Sequence, residues 1–286
     1  MKRTICLLTA MSLTIIFLFC SCVSSKKESV TPPEVTGELE VSVLKVGQAD
    51  GIIINTKNYC FVIDCGEADD GDEVVKYLAE KNINYVDCLF ITHFDKDHVG
   101  GVPEVLSNIS VEKIITPDYV GNNDEYESFV RKTDELGIVP ERITSEQSFV
   151  ADDVLFEIYP PFKLSYTEGD NDFSLAIGVT HGENKFLFTG DAEAERISEI
   201  IQKCNGEYDF LKVPHHGKYN KNTKKLFETV KPKYAVVTDS EKNPAEDKVV
   251  SALKEVGCDA YFTKDGDVYI LSDWKNIEIN QWIFEY

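Results

Sequence analysis

Basic residues are scarce in this chain. Its 286 residues hold 29 Lys and Arg against 50 Asp and Glu, a formal charge of −21 at pH 7. Proteins that grip long DNA or RNA neutralise phosphates with basic patches, and no extended nucleic-acid binding surface is evident. The one small cluster, Lys221, Lys224 and Lys225, reads as the solvated face of a helix. Cysteine is missing where a disulfide framework would need it. Past Cys22 there are five, Cys60, Cys65, Cys88, Cys204 and Cys258, and an odd number cannot all pair. Cys60 and Cys65 bound the run Phe61-Val-Ile-Asp64; in an extended strand their Cα atoms lie about 16 Å apart, beyond the ~7 Å that a disulfide tolerates. Free thiols are expected. No Gly-x-Ser-x-Gly elbow is present, so a serine nucleophile of that type is excluded. The 43% hydrophobic and 11% aromatic content excludes global disorder.

Histidine is rarer still, and that makes its placement informative. Four of the five histidines fall in two short segments. Residues 92–101 read Thr-His-Phe-Asp-Lys-Asp-His-Val-Gly-Gly, so His93, Asp95, Asp97 and His98 lie within six positions, after a strand-like run at 86–92 and before two turn-forming glycines. Two imidazoles and two carboxylates fixed in one turn suit one or two divalent cations. Two later segments share the design of an apolar strand that ends in a polar ligand: 185–190 runs into Asp191, and 210–214 runs into His215-His216-Gly217. In layered α/β folds functional side chains gather past the carboxyl ends of strands, so the three loops are expected to form one site. The fifth histidine, His181, stands beside Gly182 and is expected to be a surface residue.

His93-Phe-Asp95-Lys-Asp97-His98, then Gly190-Asp191, then His215-His216-Gly217 resemble the metallo-β-lactamase superfamily. Val46-Gly-Gln-Ala-Asp50, Asn171-Asp172-Phe-Ser174-Leu175 and Leu211-Lys-Val-Pro-His-His-Gly217 are similar to the hydrolase domain of ComEC-type competence proteins and their stand-alone relatives. The similarity runs from about residue 39 to the C-terminus. It implies an α/β fold, a four-layer αβ/βα sandwich with two sheets inside and helices outside. It also implies two divalent metal ions, zinc or manganese. His93 and Asp95, with Asp172, would hold one; Asp97, His98 and one of the two adjacent histidines would hold the other; Asp191 would bridge. His215 is assigned to the metal, and His216 with Asp97 to catalysis, although sequence alone leaves the choice within the pair open. Asp191 has a rival structural role as the cap of a helix expected at 192–204.

Four positions depart from the family pattern. Asp95 replaces the usual second histidine, Lys218 stands where relatives often have Ser, Cys65 interrupts the usual Asp-Thr-Gly turn, and Lys45 stands where relatives often have Asp. Carboxylate in place of imidazole hardens the site toward manganese. The expected function is an exported, membrane-tethered metal-dependent hydrolase of phosphodiesters, acting on a small or oligomeric phosphoester through hydroxide made available by the cations. The alternatives are an acyl hydrolase of lactonase or β-lactamase type and a non-catalytic metal-binding module.

The N-terminus reads as a targeting segment. Lys2-Arg3 precedes an uncharged apolar run from Ile5 to Phe19, and Ser21-Cys22 follows, the pattern of a bacterial secretory signal. Residues 1–22 are expected to form a lipoprotein-type signal, 23–38 a flexible linker and 39–286 the hydrolase domain, with Cys22 as the lipidated residue and an extracytoplasmic, membrane-anchored location. The alternative is an uncleaved anchor. The full-length protein should sediment with membranes, and Cys22→Ser should release it or block its processing, because two or three acyl chains hold firmly where one does not. A Cys22→Ser protein that stays membrane-bound at full length would favour the uncleaved anchor.

Overall fold

Alternation of side chains along the strands builds two faces at once. In Leu39–Val43, Leu39, Val41 and Val43 point one way; in Cys60–Cys65, Phe61 and Ile63 join them while Cys60 and Val62 point the other way. Period-2 patterning that is apolar on both faces specifies a sheet covered on both sides. The computed structural model describes residues 38–281 except Asn205 and has two such sheets. The signal segment and nearly all of the linker lie outside the described residues.

The first sheet has eight strands in the order Ile277–Gln281, Val268–Ser272, Leu39–Val43, Gly51–Asn55, Cys60–Cys65, Cys88–Phe90, Ile114–Pro117 and Glu141–Ile143. The second has seven, in the order Asp259–Phe262, Tyr234–Val237, Phe210–Lys212, Asn184–Phe188, Ala176–His181, Val154–Tyr159 and Gln147–Ala151. Phe61, Phe90, Phe156, Phe186 and Phe210 belong to one buried cluster fed by both sheets, so the sheets pack face to face. Each such ring contributes about 1.5–3 kcal/mol by leaving water. A second cluster joins the outer face of the first sheet to the helices Gly71–Glu80, Val102–Asn108 and Asp124–Leu136. A third joins the outer face of the second sheet to Ala194–Lys203, Thr223–Val230 and Asp247–Glu255. This is the expected four-layer αβ/βα sandwich.

Both sheets change from antiparallel to parallel pairing partway across. Cys60–Cys65, Cys88–Phe90, Ile114–Pro117 and Glu141–Ile143 run parallel, as do Asn184–Phe188, Phe210–Lys212, Tyr234–Val237 and Asp259–Phe262. Parallel strands place their carboxyl ends along one edge, and the loops of the candidate site leave from these ends. Gly101 closes the approach on the first sheet: a Cβ there would come within 2.1 Å of the Cys65 carbonyl oxygen.

Several expectations need correction. The strand expected at 86–92 is Cys88–Phe90, because the chain peels away at Thr92, whose amide donates to Asp64 instead of the ladder. The helix expected at 192–204 is Ala194–Lys203, and Asp191 does not cap it. His181 is not a surface residue: it ends Ala176–His181, is wholly buried, and its Nδ1 lies 2.8 Å from Ser272 Oγ. All five described cysteines are free and buried, as expected. Among the described residues no helix is long and apolar enough to cross a membrane.

Candidate metal centre

The first sheet aims its ligands through Asp64. This residue is left-handed, with φ 57°, a conformation that costs a non-glycine residue roughly 1–2 kcal/mol. Its carboxylate offsets that cost by accepting from Thr92 N at 2.8 Å and Thr92 Oγ1 at 2.6 Å, with His98 Nδ1 also 2.8 Å away. Held at Nδ1, His98 turns Nε2 toward the second sheet, 3.3 Å from Asp191 Oδ1. His93 is held in the same manner: Nδ1 lies 3.0 Å from Thr92 Oγ1, and Nε2 is 3.7 Å from Asp95 Oδ2. Asp95 precedes the one-turn helix Lys96–Val99, which carries Asp97 and His98.

The second sheet supplies Asp191 and His216 through two tight turns. Gly190 has φ 51°, and a Cβ there would come within 2.8 Å of Ser174 Oγ; the turn presses so close that Asp191 N donates to that hydroxyl at 3.0 Å. His215 and His216 are both left-handed, with φ 49° and 51°. Strained backbone of this kind persists where its surroundings fix it. His216 Nδ1 lies 3.0 Å from the Thr238 carbonyl oxygen. A carbonyl can only accept, so Nδ1 carries a proton and Nε2 faces the junction. Nε2 is 3.0 Å from Asp191 Oδ2 and 3.3 Å from Asp97 Oδ2.

Asp97, His98, Asp191 and His216 thus bring ligand atoms within 4.8 Å of one another, and Asp50, Asp64 and His98 form a second such group beneath them. His93 and Asp95 flank the first group. Two expected ligands lie elsewhere. Asp172 Oδ1 accepts from Glu193 N at 2.8 Å and Arg196 N at 3.2 Å, so it holds the start of the helix Ala194–Lys203, the role foreseen for Asp191. The geometry also places the two rings of the histidine pair otherwise than expected. His216 enters the cluster, whereas His215 Nδ1 lies 3.0 Å from Glu193 Oε1 and its Nε2 is 2.9 Å from Lys218 Nζ.

Sequence reasoning missed Lys212 and gave no role to Asp50 or Asp64. Lys212 is fully buried, with Nζ 2.5 Å from Asp50 Oδ2 and 3.5 Å from Asp191 Oδ1. The signal was a lone cation in the apolar run Phe-Leu-Lys-Val. Burial acts against every charge here, and the opposing charges win. Burial would lower the pKa of Lys212, but Asp50 and Asp191 raise it. Burial would lower His216 as well, but Asp191 and Asp97 lift it to about 9. His98 is raised well above its usual value, against burial, by Asp191 and Asp64. Burial works to raise Asp191, yet His216, His98 and Lys212 hold it well below the usual carboxylate range. His215 goes the other way: burial, with Lys218 nearby, lowers it to about 4.

The donor set fits divalent cations. Nε2 of His93, His98 and His216 and Oδ1 of Asp191 are buried without a hydrogen-bond partner, and each such group costs about 1–3 kcal/mol if nothing satisfies it. Nitrogen and carboxylate oxygen converging in this way is the chemistry of zinc or manganese ligation. A cleft of about 760 Å³ opens above the cluster, lined by Gln48, Asp95, Asp97, Asn171, Asp191, His215 and Lys218 among others.

Residues 44–238 match the family described as the Metallo-beta-lactamase superfamily. Recombination protein 2 of Haemophilus influenzae is 28% identical over 210 residues, covering 72% of this chain and 25% of that protein. ComE operon protein 3 of Bacillus subtilis is 24% identical over 230 residues, covering 74% and 30%. Both are ComEC-type competence proteins, and the chain spans less than a third of the length of either. The metallo-beta-lactamase fold protein YhfI from Bacillus subtilis superposes with a TM-score of 0.56 at 14% identity, covering 82% of this chain and 99% of that one. That likeness is one of fold.

The raised His216 gives a pH prediction for protein stripped of metal. Its folded pKa of about 9 lies above the ordinary 6.5, so its stabilising contribution is complete below pH 6.5 and is lost as pH rises through 9. Melting temperature in chelator should therefore fall between pH 6.5 and 9, and His216→Gln should flatten that fall. A slope unchanged in the variant would contradict the assignment.

Proposed function

Because the chain belongs to the metallo-β-lactamase superfamily, whose members are generally metal-dependent hydrolases, we propose that it hydrolyses small phosphodiesters. The observation that carries this reading is the polarity of the cleft. Of its lining residues only Val46 has an apolar side chain; the rest are carboxylates, amides, lysines, one histidine and Gly47. An acyl substrate such as a lactone or lactam would bury no apolar surface there. A phosphodiester needs none, since its recognition is by charge and hydrogen bonds. Glu67, Asp69, Asp70 and Glu125 on the cleft wall would repel a long polyanion, which favours a small or oligomeric ester.

In this reading Asp97, His98, Asp191 and His216 would hold one cation, and His93 and Asp95 would contribute to a second. Divalent cations held there would supply Lewis acidity toward a phosphoryl oxygen and lower the pKa of water. The chain's own groups fix the geometry. Asp64 and Thr238 orient the two imidazoles, and Lys212 balances the charge of Asp50 and Asp191 from below. Asp97, with 22% of its side chain exposed, is the member of that ligand set most open to the cleft. His216, 1% exposed, is a ligand and cannot reach a leaving group. A tether at Cys22 belongs to the same proposal and rests on the sequence.

The test is turnover of a chromogenic phosphodiester, a lactam and a lactone by protein reconstituted with zinc or manganese. Phosphodiester hydrolysis should dominate and vanish in chelator, with manganese at least as effective as zinc. Asp191→Asn should lower it by ~100-fold or more. Equal kcat/KM on the lactone or lactam would refute the phosphodiester reading.

A further inference from the structure

We propose that Lys218 is the anion-receiving side chain of the cleft, held ready by a relay through His215 and Glu193, and that it takes a non-bridging oxygen of the substrate's phosphate group. This deepens the phosphodiester reading and rests on it.

The relay is built from three contacts. Lys218 Nζ lies 2.9 Å from His215 Nε2. An ammonium can only donate, so Nε2 is the acceptor and the ring proton of His215 sits on Nδ1. Nδ1 is 3.0 Å from Glu193 Oε1, the oxygen that also accepts from Asn171 Nδ2 at 3.1 Å. Carboxylate, imidazole and ammonium therefore form one chain, and the ammonium keeps its remaining N–H groups for a ligand. It starts at the residue preceding the helix Ala194–Lys203, so its base is rigid.

The position is that of a substrate contact. His215, Lys218, Asn171 and Asp191 line the same cleft. His215 Nε2 is also 3.9 Å from Asp191 Oδ2, so the ammonium stands one residue's breadth from the metal cluster. Of the other two cleft lysines, Lys96 is 2.8 Å from Glu67 and its charge is spent there, and Lys242 has no imidazole bracing it. Among the described residues Lys218 is within ion-pair distance of no carboxylate. Pairing with a carboxylate would have cancelled its charge. Pairing with a neutral imidazole fixes the side chain and leaves the charge whole. A free lysine carries ~2 kcal/mol of rotamer entropy, part of which the relay removes before a ligand arrives.

The experiment measures binding of inorganic phosphate to the metal-loaded protein by calorimetry, alongside phosphodiester kinetics. Lys218→Met should weaken phosphate binding by about tenfold or more, the worth of one charge-assisted hydrogen bond, and should raise KM with metal content and melting temperature unchanged. Lys218→Arg should restore most of the binding. Lys225→Met removes the same unit charge from an exposed site on the helix Thr223–Val230 and should leave binding unaltered. Phosphate affinity of Lys218→Met within twofold of wild type would overturn the proposal, as would an equal loss in Lys225→Met. If phosphate binding depends on Lys218 but no phosphodiester is turned over, the relay stands and the proposed reaction falls.

Discussion

Four carboxylates, Asp50, Asp64, Asp97 and Asp191, crowd the junction of the two sheets, and their mutual repulsion is the constraint that the rest of the site answers. Two like charges 4 Å apart cost about 4 kcal/mol at the effective dielectric of a protein near its surface, and three of these four are almost wholly buried. Lys212 rises from the strand Phe210–Lys212 to lie against Asp50 and Asp191. His98 bridges Asp64 and Asp191, and His216 bridges Asp97 and Asp191. Left-handed backbone at Asp64, His215 and His216 is the geometric cost of bringing these groups together. It is sustained because both sheets deliver their parallel strand ends to one edge.

The same charge balance explains the division between the histidines of the adjacent pair. His216 is drawn inward by two carboxylates and stays basic; His215 has its pKa lowered by burial and by Lys218 beside it, against the pull of Asp191. Neighbours in sequence thus serve different ends: one suits a cation, and the other can brace a lysine at the cleft without quenching it. In the proposed reading the acidic residues of the cleft favour a small phosphodiester over a long polyanion.

Much of this was legible before the fold was known, and what was not shares one cause. The turn holding His93, Asp95, Asp97 and His98 could be read because its ligands are contiguous and need only local structure to converge. The sandwich could be read because the motifs at 46–50, 93–98 and 211–217 resemble those of a family with that fold. His216 could not be told from His215, since consecutive positive φ values, not residue type, decide which ring points inward. Asp172 was misplaced because its partners, the amides of Glu193 and Arg196, lie more than twenty residues away. His181 was misjudged from the neighbouring Gly182, whereas the strand Val268–Ser272, nearly ninety residues on, covers it. Lys212 gave a signal, a charge inside an apolar strand, but only tertiary packing says which carboxylates await it.

The central claim is that Asp97, His98, Asp191 and His216 form one ligand set while His215 stands outside it. A crystal structure of manganese-loaded protein with anomalous scattering tests it most directly. The account predicts a metal peak at coordinating distance from Nε2 of His98 and His216 and from the carboxylates of Asp97 and Asp191, with His215 still on Glu193 and Lys218. A metal bound by His215, with His216 turned away, would contradict it.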